Sequence, residues 1–144
     1  MKPIKMPVYD KTKWGPGPWD NEPDRVEFTH VGLPCLLLRG PLGCWCGYVA
    51  VGPDHPFHGK HYDNVPVEVH GGLTYGAVCN GTICHVPKPG EPANVWWLGF
   101  DCGHYMDLAP SMLEYKRDGE YRNVQYARIE TEKLAEQLKA LADG

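Results

Sequence analysis

The chain has 144 residues, 42% of them hydrophobic and 22% charged, with a formal net charge of −4. That is enough apolar residue for one domain with one core, held without metal or disulfide staples. No run of lysines or arginines forms a basic stripe, so long DNA or RNA is excluded as an expected partner; a small phosphorylated ligand, which one cation or a few backbone N–H groups can hold, is not.

The first residues, Lys2 to Asp10, contain no apolar h-region, and no apolar run reaches the roughly 20 residues of a membrane span. A cytoplasmic protein without a membrane partner is expected. Residues 1–24 are rich in Pro, Gly, Lys and Asp, which forbids regular structure. Trp14 and Trp19 argue that this segment is an extended arm lying against the domain rather than a free tail, since a tail would leave their apolar area in water. Residues 25–144 read as a single α+β domain.

From Val26 to Gly52 the pattern is β. Val26-Glu27-Phe28-Thr29 alternates, Leu36-Leu37-Leu38 is a buried run, and Trp45 to Val51 is aromatic and β-branched. Arg39-Gly40-Pro41-Leu42-Gly43 is a turn, which predicts an antiparallel hairpin. Gly52 to Pro66 is a long polar loop of the kind that carries function. Val67-Glu68-Val69-His70 alternates as a strand, Gly71-Gly72 breaks it, and Leu73-Thr74-Tyr75 resumes β structure. Residues 79–94 are a second turn-rich excursion. Val95 to Phe100 predicts a buried central strand. Val124, Ala127, Leu134, Leu138 and Leu141 recur at helical spacing and predict a helix over 121–141. The fold class is α+β: a mostly antiparallel twisted sheet with long loops and one C-terminal helix.

Six cysteines stand at 35, 44, 46, 79, 84 and 102. In the cytosol they are expected as thiols. A zinc site is the alternative, but Cys44-x-Cys46 is not a C-x2-C knuckle and Cys79-x4-Cys84 is loose, even with His85 adjacent.

Three groups of residues could carry chemistry. On a strand, Glu68 and His70 would share a face, and a carboxylate beside an imidazole is a minimal acid–base pair. Gly71 and Gly72 would let the backbone approach a ligand or offer N–H groups to an anion. The plainer reading is a half-buried histidine before an ordinary turn. Asp101, His104 and Asp107 follow the apolar strand at steps of three, which places them on one side of a turn where they could poise a water or hold a metal. The plainer reading makes Asp101 a cap and His104 a surface residue. His55, His58 and His61 sit with Lys60 in the 52–66 loop. Pro53 and Pro56 deprive that spacing of helical meaning, so ligand-facing residues or a lid over His70 and His104 are expected rather than a metal cluster. A cysteine nucleophile such as Cys102 would need a histidine in spatial contact. There is no G-x-S-x-G, Walker loop, dinucleotide fingerprint or deaminase signature.

Several blocks together resemble a family of small uncharacterised proteins associated with bacteriophages and prophages. They are Cys46-Gly47-Tyr48-Val49, His55-Pro56-Phe57-His58-Gly59-Lys60 with Tyr62-Asp63-Asn64, Val69-His70-Gly71-Gly72-Leu73-Thr74-Tyr75, and Trp97-Leu98-Gly99-Phe100-Asp101-x-x-His104-x-x-Asp107, followed by Glu132-x3-Glu136-Gln137-Leu138. The resemblance spans residues 43–141. It brings no activity with it. It directs attention to His70, Asp101, His104 and Asp107, with His55, Lys60 and Tyr62 from the loop, and it argues against Cys102, whose position is often not cysteine in the family. Where the family has glycine before the last aspartate, this chain has Met106.

Three functions fit these residues. The first is a small hydrolase acting on a phosphoester or similar bond of a nucleotide-like molecule. His70 and His104 would be acid and base, Asp101, Asp107 and Glu68 would support them, and Lys60 would neutralise a phosphate. His55, Tyr62, Gly71, Gly72 and Tyr75 would contact the ligand. In a phage such an enzyme would disarm host nucleotide signals. The second is a binding protein that sequesters the same molecule, with aromatic walls and an oligomer interface. The third is an interaction module or inhibitor anchored by Trp14 and Trp19. The sequence names no cofactor.

Overall fold

A computed structural model describes residues 9–143; the part of the expected arm before residue 9 lies outside them. Five strands form one antiparallel sheet in the order β1-β2-β3-β5-β4. They are β1 (Arg25–His30), β2 (Leu33–Arg39), β3 (Trp45–Val51), β4 (Tyr75–Val78) and β5 (Trp96–Asp101), followed by the single α-helix α1 (Val124–Asp143). The α+β architecture is the one expected.

The strand sequences explain their places. β2 and β3 are buried almost throughout, because both faces of the sheet are covered, and they read as apolar runs rather than alternations. One face carries Cys35, Val49, Val51, Leu98 and Phe100 against Leu134, Ala135 and Leu138 of α1. A Cβ on Gly47 would lie 2.2 Å from Thr131 Oγ1, so glycine there is what lets α1 seat on β3. The opposite face carries Leu36, Leu38, Tyr48, Ala50 and Trp97, with Ile83 packed against them. The 79–94 excursion reaches across that face, and Arg25 of β1 anchors it by donating to Thr82 O and Cys84 O at 2.6 Å each.

Three expectations are corrected. Val67 to His70 is not a strand, and His70 with Gly71 already forms a turn. Its backbone bonds go to helix side chains instead of a neighbouring strand: Glu68 N donates to Gln137 Oε1 (2.7 Å), Gln137 Nε2 donates to Glu68 O (2.8 Å), and His70 N donates to Glu130 Oε1 (2.9 Å). The alternation reflects the burial of Val67 and Val69 against the helix-side core, which a segment lying on a helix satisfies as well as a strand does. Second, not all six cysteines are thiols. Asn80 and Ile83 close a tight turn, which brings Cys79 and Cys84 to a Cα separation of 4.7 Å, where they form a disulfide. Cys35, Cys44, Cys46 and Cys102 remain free. Third, α1 starts at Val124 rather than 121, because Asn123 Oδ1 caps it by accepting from Tyr126 N (2.8 Å).

Residues 9–24 do lie against the domain, in two short 3-10 turns. Trp19 is 4% exposed and meets Tyr121 edge-on at 5.2 Å. Glu22 and Asp24 grip the buried Arg39, at 3.1 and 2.8 Å. No helix among the described residues is long and apolar enough to cross a membrane.

Truncating Arg39 leaves Glu22 buried without its cation. Arg39→Ala is therefore expected to lower stability by about 3–5 kcal/mol, read as the shift of the urea unfolding midpoint.

Candidate functional site

The site forms where β5 ends and the Gly71-Gly72 turn folds back over it. Asp101 is the last residue of β5. Its Oδ1 accepts from Gly103 N (2.9 Å) and its Oδ2 from Thr74 Oγ1 (3.0 Å). The chain then turns tightly, with Asp107 N donating to His104 O (2.9 Å). This turn brings His104 back beside Asp101, with Nε2 3.4 Å from Oδ1, and it buries Asp107 to 3% exposure.

Asp107 is the centre of the cluster. Its Oδ2 accepts from His70 Nε2 (2.7 Å) and from His104 N (3.0 Å), and its Oδ1 from Arg122 Nε (2.9 Å). Burial alone would raise its pKa, but the bonds from His70, Arg122 and the His104 N–H outweigh burial and hold the carboxyl below its ordinary range. An ionised carboxylate only accepts, so the proton of the His70–Asp107 bond sits on Nε2. His70 Nδ1 meets Tyr126 Oη at 2.7 Å. Both ring nitrogens are thus engaged. The His70 and His104 rings stand 5.8 Å apart between centroids.

Gly71 makes this proximity feasible. Its φ is +69°, and a Cβ there would lie 2.1 Å from His104 Nε2. Gly72, at φ +80°, has open space around its Cβ position and donates its N–H to Val69 O to close the turn. Gly71 thus serves a close approach to His104.

Four expected residues, His70, Asp101, His104 and Asp107, converge. The others do not join them. Glu68 is not the partner of His70, since Asp107 takes that place; Glu68 lines an open groove of about 660 Å³ with Val69, His70, Glu130, Lys133 and Glu136. Tyr75 turns to the opposite face, edge-on to Tyr48 at 5.3 Å. His55 pins its loop to the far end of α1, with Nε2 2.8 Å from Leu138 O. Leu138 lies twelve residues beyond Tyr126 on α1, roughly 18 Å along the axis. His55 is therefore held far from His70. Tyr62 packs on the helix-side core and stacks on His61 at 4.3 Å. Among the described residues no group of three or more His, Cys, Asp or Glu side chains is placed to hold a metal ion.

Sequence reading missed Arg122 and Tyr126. Arg122 pairs with Asp107 and lies 4.9 Å over the Tyr126 ring. The available signal was the four-residue spacing of Tyr126 and Glu130, which places them on one face of α1; Arg122 precedes the helix and carries no such signal. His104 and Asp107 border a small hollow of about 170 Å³ with Leu42, Met112 and Lys116. Tyr105 beside it is 85% exposed. The free thiols take no part: burial first of all pushes Cys46 up to about 11, Cys35 and Cys44 up to about 12, and Cys102 higher still.

Compared with family models, curated proteins and solved structures, the chain matches none. The reading of the site therefore rests on its geometry.

Two outcomes test this geometry. Gly72→Ala is expected to cost only backbone strain, about 1–3 kcal/mol. Gly71→Ala should cost more and should move the His104 ring signals in an NMR spectrum, because the methyl group must displace that ring. Asp107 is depressed in the folded state, so its contribution is complete above its unfolded pKa of about 3.9 and is lost as the pH falls through the folded value. Asp107→Asn should therefore flatten the acid limb of a plot of urea midpoint against pH below about pH 4. At pH 7 it should cost about 1–3 kcal/mol, because Arg122 and His70 lose their acceptor.

Proposed function

We propose that the chain is a small hydrolase working by acid–base catalysis on a phosphoester or similar bond of a nucleotide-like molecule. The observation that carries this reading is the pairing of two imidazoles with two carboxylates. His70 meets Asp107 at 2.7 Å and His104 meets Asp101 at 3.4 Å, with 5.8 Å between the rings. Hydrolysis takes a proton from the attacking water and gives one to the leaving oxygen, and two positioned imidazoles supply both functions. Asp107 orients the His70 ring by hydrogen bonding, while Asp101 lies beside His104 without bonding its buried Nε2.

The charge of the surroundings indicates how a ligand would lie. The groove beside His70 carries Glu68, Glu130 and Glu136 against Lys133 alone, which repels a phosphate. The hollow beside His104 carries Lys116. Lys116 takes over the phosphate-neutralising role expected of Lys60, and Tyr105 offers a face on which a base can stack. In a phage or prophage setting, which the sequence resemblance implies, such an activity would act against a host's nucleotide signals.

A second reading is a protein that sequesters the nucleotide without turnover. The exposure of Tyr105 favours it, since stacking needs no catalysis. The interaction-module reading is less well supported, because Trp19 is buried in the molecule and Trp14 stacks near Arg39.

The test is incubation of the protein with a panel of cyclic and linear nucleotides, read by chromatography directly and after heat denaturation. One nucleotide is expected to be converted, with turnover lowered by roughly 10²–10⁴-fold in His70→Ala and His104→Ala. A nucleotide that leaves the free pool and returns intact after denaturation would assign the protein to sequestration. A panel left free and intact would overturn both small-ligand readings.

A further inference from the structure

Among the residues of the cluster, His70 poses a problem for the hydrolase reading. Its Nε2 is held by Asp107 and its Nδ1 by Tyr126 Oη, each at 2.7 Å. A ring with both nitrogens engaged has none left for a substrate. It can, however, pass a proton to and from Tyr126. Resting on the hydrolase reading, we propose that Tyr126 is the proton donor of the site, acting through the Asp107–His70 pair, while His104 serves the attacking water.

The placement of Tyr126 supports this. Arg122 holds Asp107 at one end of the chain of bonds and covers the Tyr126 ring at the other. The His70 ring meets Tyr126 edge-on at 5.3 Å. Neither end can swing without breaking a contact to Arg122. Tyr126 stands one helical turn before Glu130 and on the same face, and Glu130 and His70 line the groove. His104 borders the separate hollow that carries Lys116. Burial, then Glu130, raise the pKa of Tyr126 against the opposing effect of Arg122, so its hydroxyl keeps its proton and acts as a donor, not as a phenolate nucleophile.

The step balances as follows. Water attacks phosphorus and gives one proton to His104. The bond from phosphorus to the leaving oxygen breaks, and that oxygen takes the Tyr126 hydroxyl proton. Tyr126 regains a proton from Nδ1–H of the His70 imidazolium, which Asp107 has stabilised through Nε2–H. The cycle ends with His104 charged and His70 neutral, and exchange with solvent restores both.

The alternative is that the Tyr126–His70 bond merely holds the 67–72 segment on the helix. Leaving-group chemistry separates the two. Wild type, Tyr126→Phe and His104→Asn are assayed on a 3′,5′-cyclic nucleotide, whose leaving alkoxide needs a proton, and on bis(4-nitrophenyl) phosphate, whose nitrophenolate does not. Tyr126→Phe is expected to lower kcat/KM for the cyclic nucleotide by roughly 10²–10⁴-fold and for the nitrophenyl ester by less than about threefold, while His104→Asn lowers both. Equal losses on both substrates, or no loss on either, would overturn the assignment of Tyr126 and leave the hydrolase reading in place. Absence of turnover by the wild type would overturn both. Should Tyr126→Phe lose its fold, 3-fluorotyrosine at position 126 keeps the hydroxyl and makes it more acidic. The ratio of kcat/KM for the cyclic nucleotide to that for the nitrophenyl ester must then change from the wild-type ratio, and an unchanged ratio counts against the proposal.

Discussion

A buried guanidinium organises this molecule. Arg39 is 2% exposed, and an isolated cation at that depth would be strongly unfavourable. It is satisfied on all sides: by Glu22 and Asp24 from the arm, by Gly43 O across its own turn, and by Tyr121 from the segment before the helix. Its flat face lies over Trp45 at 4.6 Å. Glu22 in turn accepts from Trp45 Nε1 and from Val124 N, the first N–H of α1. Burial works against the charge on both Glu22 and Arg39, yet their mutual bonds and those to Tyr121 prevail and both stay ionised. The arm, the end of the sheet and the start of the helix are thereby fixed to one another. Tyr126 and Glu130 follow on the first turns of α1, so the position of the helical half of the site is set at this clamp.

The other half is set by a backbone device. Asp101 ends a buried strand, the 101–107 turn folds back, and Gly71 removes the one side chain that would keep the two segments apart. The result is two imidazoles supported differently. His70 is saturated and rigid, while His104 is part-exposed, with its carboxylate at a longer distance. Two chemically identical side chains are given unequal freedom by their surroundings, a precondition for unequal roles.

Much of this was legible in the sequence, for identifiable reasons. Buried runs such as Leu36-Leu37-Leu38 and Trp96 to Phe100 are of strand length and bounded by turn signals, and the 3.6-residue period of α1 has a clear apolar face. Asp101, His104 and Asp107 stand at and after a strand end, and His70 precedes a glycine pair, places where polar residues concentrate around sites. What was not legible depends on partners far apart in sequence. Alternation at 67–70 is the same whether the segment lies on a strand or on a helix. Tyr126 looks like one more residue on a polar helix face until His70 is placed against it. The histidines of the 52–66 loop suggested a lid, but only the bond of His55 to Leu138 reveals which end of the helix they serve. Cys79-x4-Cys84 enclosed an Asn-Gly turn, and that local signal for pairing was outweighed by the expectation drawn from compartment.

The order of the sheet has a consequence for how the chain acquires its native state. The first three strands are neighbours in sequence and can zip together as a meander. β5 pairs with β3 across the long stretch from Gly52 to Val95, whereas β4, which lies within that stretch, pairs with β5 across the shorter 79–95 loop. Closure of a long loop must precede the contacts that repay its entropy. The histidine cluster is held by contacts of the same long range, since His70 reaches 37 residues forward to Asp107 and 56 to Tyr126. The meander closes on neighbours in sequence, while the chemistry depends on closing the longest loops of the molecule.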